Sequence, residues 1–506
     1  MGRSFFLGAL TGAIGLIAIV AIAAMVFLSR GVDGGVGEAA SIEKAEFTGL
    51  YTPERLEAGR ARIAIEDPRV IQRFLSGGIF GNPASRLAGL HMFSRDEAVT
   101  ADIRAKTERI EIAPGSWLVR FPIVNAAFFE TDEGVVVVDT GMAAAGPVLV
   151  EQIREVTDAP VTDIIITHGH VDHLTGLWAL KEAYPDAFVI GHENIRDRLA
   201  RYGELRGSIA KYMSQPYGEV PDGVDALPLP EVTLTDIEDL IALDKDTPGF
   251  RQEFEIIPHR GETDDQVYVW VPDRKIVVVA DYYQGFLPNL GNGKRVQRYG
   301  TEWIAALREM ADLGAEVMLP MHGAPVVGAA EIRGALTLHA DAIEHIETEV
   351  KAGLNAGLRK DEVIAAITWP DRFANDPRLD TYYVSPQDVA KMFVKQWTGW
   401  WDDQPAHWTP ATLEAQARQI VALAGGIDAF LAEAKDVAQT DIVMASHLSD
   451  WAFFAEPNNR AAQDFAIEVY KNRLLDPAVP EQEALAYYDH IALVRALQLE
   501  ADSSPE

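Results

Sequence analysis

No cysteine occurs among the 506 residues. Disulfides are therefore excluded, and any metal must be held by histidine, aspartate or glutamate. Positive charge is also in short supply: 44 Lys+Arg stand against 76 Asp+Glu, a formal net charge of −32. Such a field repels phosphate backbones, and the densest basic cluster, GNGKRVQR at 291–298, is too short to reverse it. No nucleic-acid partner is expected. Histidine is rare, with 12 residues, so any clustering of it is informative. The hydrophobic share (48%) and charged share (24%) are those of an ordinary folded protein, long enough for two or three domains.

Uncharged runs are short with one exception. Phe5–Leu28 is 24 residues without a charge, and at about 1.5 Å per residue it would span roughly 36 Å as a helix. A transmembrane anchor is expected; a cleaved signal segment is the competing reading, because Ala21-Ile22-Ala23 has a cleavage-like pattern. Arg3 on one side and Arg30 on the other bias the body toward a periplasmic or extracellular position.

Composition and periodicity divide the chain into segments. Residues 1–30 are the anchor or signal segment, and 31–109 a linker and N-terminal extension that opens with the flexible GVDGGVGEAA. From 110 to 335 the texture is mixed α/β. WLVRFPIVNAAFFET and GVVVVDTG are strand-like runs broken by Asp132-Glu133-Gly134, a hairpin signal. GPVLVEQIREVT reads as an amphipathic helix, and VTDIIIT as a buried strand. Residues 336–478 are helical. TPATLEAQARQIVALAGG (409–426) shows Thr409 as an N-cap and Pro410 at the first helical position, and the helices around Pro457-Asn458-Asn459 form a pair. Residues 479–506 make a C-terminal helix and a frayed tail.

The chemistry concentrates in THGHVDHLTG, 167–176, directly after a strand. Three specified histidines would occur by chance on the order of once per 10⁵ windows. His168 and His170 alternate along one short segment and can converge on one ion, whereas Asp172 and His173 lie a turn further on and point to a neighbouring position. Two adjacent metals are the natural reading, with the remaining ligands supplied by later loops.

H-x-H-x-D-H after a strand, preceded by VVVVDTG, resembles the metallo-β-lactamase superfamily, whose fold is an αββα sandwich. In that family further ligands follow in a PGHTxDxxxxxxP segment, in an acidic residue that ends a strand and in a late GHG. This chain offers PHRGETDDQVYVWVP (258–272), VVVAD (277–281) and PMHGAPVVG (320–328). The resemblance implies metal ligation by His168, His170, Asp172, His173, Glu262, Asp281 and His322, with Asp281 bridging. Glu262 stands where histidine is usual, which resembles the alkyl-sulfatase branch; the alternative is that His259 ligates and Glu262 is a solvated loop residue. A carboxylate binds Zn²⁺ at about the same distance as an imidazole, but its charge would make the first ion a weaker Lewis acid. QWTGWWDDQPAHWTP (396–410), VALAGGIDAFLAEA (421–434), HLSDWAFFAEPNNRAAQ (447–463) and FLPNLGNGKRVQRYGTEW (286–303) resemble the same branch, the first three its all-α dimerisation domain.

The resemblance implies an αββα sandwich followed by a helical dimerisation domain, and a homodimer. It implies two Zn²⁺ per chain that acidify a bridging water to hydroxide, and an alkyl sulfate ester as substrate. Asp172 and Asp281 would act catalytically by orienting that hydroxide, and Asp139 would brace the ligand loop. Arg120, Asn125, Asn289 and Arg298 are the candidates for binding sulfate, with Lys294 and Arg295 beside them. One departure matters. Alkyl sulfatases carry an HNLHN-like segment after the bridging acid; here it reads YYQGFLPN, without histidine. His192 or Tyr283 could serve as the acid, the sulfate leaving group could need none, or the substrate could be another ester, a lactone or a β-lactam. A membrane-tethered interaction protein with a vestigial metal site is the reading from another class.

Overall fold

The computed structural model describes residues 49–67, 69–70, 73, 95–205, 232–234, 253–291 and 293–503. The expected anchor, Phe5–Leu28, and the linker at 31–40 lie outside the described residues. Among those described, no helix is long and apolar enough to cross a membrane. Residues 51–506 form one unit.

Helices α1 (Pro53–Glu66) and α2 (Glu97–Lys106) precede a seven-stranded sheet whose spatial order is its chain order. Its strands are β1 (Glu108–Ala113), β2 (Ser116–Arg120), β3 (Asn125–Thr131), β4 (Gly134–Val138), β5 (Val161–Ile165), β6 (Phe188–His192) and β7 (Val232–Leu234). The first four pair antiparallel. From β4 onward the pairing is parallel, as crossovers through α3 (Gly146–Arg154), α4 (Val171–Leu174), α5 (Leu177–Ala183) and α6 (Ile195–Glu204) require. The hairpin expected at 132–134 joins β3 to β4, with Gly134 at φ 144° supplying the turn. The sheet begins before residue 110, because Glu108 pairs with Arg120 across β1 and β2.

The second sheet has the order β12-β11-β10-β9-β8, made of β8 (Glu255–Pro258), β9 (Val267–Val271), β10 (Ile276–Ala280), β11 (Val317–Pro320) and β12 (Val326–Val327). Helix α7 (Gly300–Asp312) links β10 to β11, and α8 (Ala329–Asn355) follows β12. Side-chain alternation builds the layers. On β4, Val136 and Val138 meet Val269, Val278 and Leu319 of the other sheet, whereas Val135 and Val137 pack under Leu149, Ile153 and Leu180 of α3 and α5. On β10, Ile276 and Val278 face inward, and Val277 and Val279 pack with Trp303, Leu307 and Leu336. The result is helix, sheet, sheet, helix. Each valine or leucine so buried contributes about 1.5–3 kcal/mol.

The remaining helices are α9 (Lys360–Ala365), α10 (Asp371–Ala374), α11 (Pro386–Trp397), α12 (Leu413–Leu423), α13 (Ile427–Ala438), α14 (Ile442–Ala455), α15 (Arg460–Leu475) and α16 (Glu481–Ser503). Val421, Phe430, Leu431, Phe465 and Val469 join α12, α13 and α15 in one core. Asn459 caps α15 by accepting from the Ala461 and Ala462 amides, as the Pro-Asn-Asn break suggests. Thr412, not Thr409, caps α12 by accepting from the Ala415 amide.

Two expected boundaries differ. The break at 335/336 falls inside α8, whose buried Ile332, Leu336, Ile343, Ile346 and Val350 run on without interruption. The N-terminal extension is more than a linker: α1 lies against α16 so closely that a Cβ on Gly59 would sit 1.8 Å from the Ala492 carbonyl oxygen. Arg55 reaches Glu500 at 2.8 Å, and α16 stays helical to Ser503 instead of fraying from 499.

Candidate metal centre

The cluster forms where strands of both sheets end on one side of the sandwich. Beyond β5 the chain runs through Thr167–His170 into the short helix α4, which carries Asp172 and His173. From the second sheet, the β8–β9 turn supplies Glu262, the end of β10 supplies Asp281, and the end of β11 supplies His322. Two of these junctions put a non-glycine residue in the left-handed region: Asp139 after β4 (φ 58°) and Ala280 just before Asp281 (φ 47°). Ala280 also follows a register shift in the β10–β11 pairing, which turns the chain so that Asp281 enters the cluster.

The side chains fall into two groups. His168, His170, Glu262 and Asp281 make one, and Asp172, His173 and His322 the other. In the first, His168 Nε2 lies 2.9 Å from His170 Nδ1, and Glu262 Oε2 lies 4.0 and 3.7 Å from them. In the second, Asp172 Oδ2 is 3.6 Å from both His173 Nε2 and His322 Nε2. Asp281 turns Oδ1 to His173 at 3.4 Å and Oδ2 to His322 at 3.3 Å. Four ligands about 2.0–2.1 Å from a tetrahedral ion stand about 3.4 Å apart, so these spacings are those of ligand shells. Asp281 belongs to the first group and touches the second.

An orphan count gives an independent test. His173 Nε2, Glu262 Oε2 and Asp281 Oδ1 are buried and accept or donate no hydrogen bond among the described residues. Buried polar atoms left unpaired are costly, and all three face the cluster interior. Cations there would satisfy them, so the residues fit a dinuclear divalent site.

Electrostatics agree. Burial, and for His168 the neighbouring His173, hold His168 and His170 well below the usual imidazole value, so both are neutral and ready to ligate. Burial works to lower His173, but Asp281, Asp172 and Asp139 outweigh it and push the ring well above its ordinary value. Asp281 is held well below the usual carboxylate range: burial opposes this, and the facing His322 and His173 overcome it. Burial raises Glu262 despite the Arg298 guanidinium beside it.

Surrounding groups fix the ligands. Asp139 accepts from the Thr167 amide and hydroxyl at 2.8 Å each and lies 2.9 Å from His173 Nδ1. That contact commits the Nδ1 proton, so Nε2 is the nitrogen left to face a metal. The Ile123 carbonyl does the same for His322 at 2.9 Å. Asp265, fully buried, accepts from the Gly169 amide at 3.0 Å and from Arg198 Nε at 2.9 Å. Gly169 is required there, since a Cβ would lie 2.6 Å from that carboxylate. Gln266 accepts from the Glu262 amide at 2.8 Å.

Of the residues considered for sulfate, Arg298 contacts one of the cluster's side chains: it donates to Glu262, and also to the Asn289 carbonyl. Glu262 therefore carries a countercharge, which removes the reason to expect a weaker Lewis acid at the first position. Two of these candidates have partners of their own. Arg120 is engaged by Glu108 (3.1 Å) directly across the β1–β2 ladder. Asn125 gives both amide hydrogens to the Pro320 and Gly323 carbonyls at 2.9 Å, bracing the His322 loop and leaving none for a ligand. Asn289 is buried at the same loop as Arg298, and Lys294 pairs with Asp489 at 2.5 Å. His259, the alternative ligand, turns away to Glu309 at 2.9 Å. Of the two acid candidates, His192 Nδ1 accepts from the Asn194 amide, and Tyr283 packs on the His339 ring. Asp265 and Arg198 do not stand out in the sequence. The aspartate does occupy the D of the TxD pattern, whereas Arg198 is one of three arginines on α6 with nothing to mark it.

Comparison with known proteins agrees with the geometry. The metallo-beta-lactamase superfamily model matches residues 119–322, and the alkyl sulfatase dimerisation model matches 359–478. A linear primary-alkylsulfatase of Pseudomonas sp. is 26% identical over 370 residues, 68% of this chain and 69% of that one. An alkyl/aryl-sulfatase of Saccharomyces cerevisiae is 24% identical over 372 residues, and the chain spans 57% of its length. A solved stereoselective inverting sec-alkylsulfatase from Pseudomonas sp. superposes with a TM-score of 0.64 at 19% identity, over 78% of this chain and 67% of that one.

Proposed function

From a chain that carries a metallo-beta-lactamase superfamily domain followed by an alkyl sulfatase dimerisation domain, we propose a dinuclear zinc-dependent hydrolase of alkyl sulfate esters. The observation that carries the reading is the placement of Asp281 against both ligand groups. His168, His170 and Glu262 would hold one ion and Asp172, His173 and His322 the other, with Asp281 shared. Bound zinc would supply Lewis acidity and draw the pKa of a water toward neutrality. The chain's own groups set the stage: Asp139 and the Ile123 carbonyl fix two imidazole tautomers, Asp265 holds the HGH turn, and Arg298 holds Glu262.

Loss of activity toward a medium-chain alkyl sulfate on chelation, its return with Zn²⁺, and two ions per chain are the expected results. Activity in a metal-free His168→Ala, Asp172→Ala variant would sink the proposal. A second reading, hydrolysis of another ester, a lactone or a β-lactam, draws on the missing histidine after Asp281 and on a Bacillus metallo-beta-lactamase type 2 that is 25% identical over 205 residues. A substrate panel separates the two. A homodimer through the helical domain is supported by the exposed Trp397, Trp400, Trp408, Leu423 and Val443, all within 359–478. Phe5–Leu28 would tether this body to a membrane from the periplasmic or extracellular side, which detergent-dependent partitioning would test.

A further inference from the structure

Gln284 stands three residues beyond Asp281, in the segment where histidine is missing, and only 7% of it is exposed. Its Nε2 donates to Asp281 Oδ2 at 2.9 Å, the oxygen that also lies 3.3 Å from His322 Nε2. Its Oε1 is buried and accepts no hydrogen bond among the described residues. The backbone that presents this pair is fixed on both sides. Ala280 and Gly285 take left-handed φ values of 47° and 79°, and the Tyr282 carbonyl accepts from Trp303 Nε1 at 3.0 Å.

An amide differs from an imidazole in two respects. It offers a donor and an acceptor at once, and it exchanges no proton with its neighbours near neutral pH. A donor aimed at Asp281 favours the ionised carboxylate in one orientation. A buried acceptor without a partner calls for a donor from outside the protein.

We propose that Gln284 is a positioning residue of this centre: its N–H locks Asp281 in the orientation that serves both ligand groups, and its Oε1 accepts a hydrogen bond from the water that enters the cluster, holding that water without taking its proton. The inference rests on the cluster being a metal centre. Outer partners of this kind change metal affinity or activity by about 10–100-fold when removed.

The test is zinc affinity of the full chain, measured by competition with a chromophoric chelator, beside steady-state kinetics. Gln284→Met preserves side-chain volume, so the metal-free variant should melt close to wild type. It is expected to lose about 10–100-fold in zinc affinity and a comparable factor in kcat, with KM little changed. Gln284→Glu, equal in size and still an acceptor, has no N–H for Asp281; it is expected to lose zinc affinity and kcat as well. A merely space-filling role would leave both variants at wild-type affinity and kcat, and wild-type values in either overturn the inference. A wild-type chain that takes up no zinc overturns the metal-centre reading itself, and this inference with it.

Discussion

Glu481 opens α16 with 7% of its surface exposed, and its Oε1 has no hydrogen-bond partner among the described residues. Burial pushes its carboxyl from the ordinary 4.5 up to about 8, with Arg73 only partly offsetting the effect. The folded chain therefore keeps a proton that the unfolded chain releases. Below pH 4.5 both states hold it and Glu481 carries no penalty. Between 4.5 and about 8 stability falls with rising pH, at about 1.4 kcal/mol per pH unit, and above about 8 the loss is complete. The accumulated penalty is about 4–5 kcal/mol, a large fraction of the roughly 5–15 kcal/mol that a folded domain commands. Glu481→Gln, which mimics the neutral acid, isolates the effect. Urea unfolding at about pH 5 and about pH 8.5 is the assay. The variant should match wild type closely at the lower pH and exceed it by about 4–5 kcal/mol at the higher. An equal difference at both pH values, or none at the higher, would refute the reasoning.

Asp139→Asn should misdirect His173, because an amide can donate to Nδ1 and favour the wrong tautomer; a loss of about 10–100-fold in zinc affinity or activity is expected by calorimetric titration and kinetics. The Thr167 hydroxyl and the Gln284 amide, which stand beside the ligand groups, are not acids near neutral pH. Sulfate leaves without one and an alkoxide does not, so hydrolysis in ¹⁸O-water should label the alcohol, and label in the sulfate would contradict C–O cleavage. Gly59→Ala should lift α1 from α16, given the 1.8 Å approach to the Ala492 carbonyl, and cost about 1–3 kcal/mol. Faster proteolysis at the N-terminal side of Pro53–Glu66 would report it.

The candidate ligands that the structure gathers were legible because their spacing is local: HGHVDH fits within six residues, and Asp281 and His322 each end an apolar strand run. The layers were legible for a similar reason, since alternating valines announce strands whatever they pack against. Pairings between distant segments were not. Arg120 meets Glu108, Asn125 braces the 320–323 loop, and Arg198 finds Asp265 only once two sheets and α6 are in place. The boundary inside α8 was hidden by an uninterrupted apolar stripe that serves two neighbourhoods, and the α1–α16 contact by a glycine whose small size signals nothing by itself.

The two ligand groups have a mechanical consequence. Each takes side chains from both halves of the sandwich: His168 and His170 with Glu262 and Asp281, and Asp172 and His173 with His322. Every ion bound there would be a rivet through the two sheets at an open rim, with the apolar filling of Val138, Ile165, Val278 and Leu319 behind it. Zinc affinity and the cohesion of the sheets then become one quantity, so a substitution deep in that filling can loosen the metal, and stripping the metal can loosen the rim, without either touching the other.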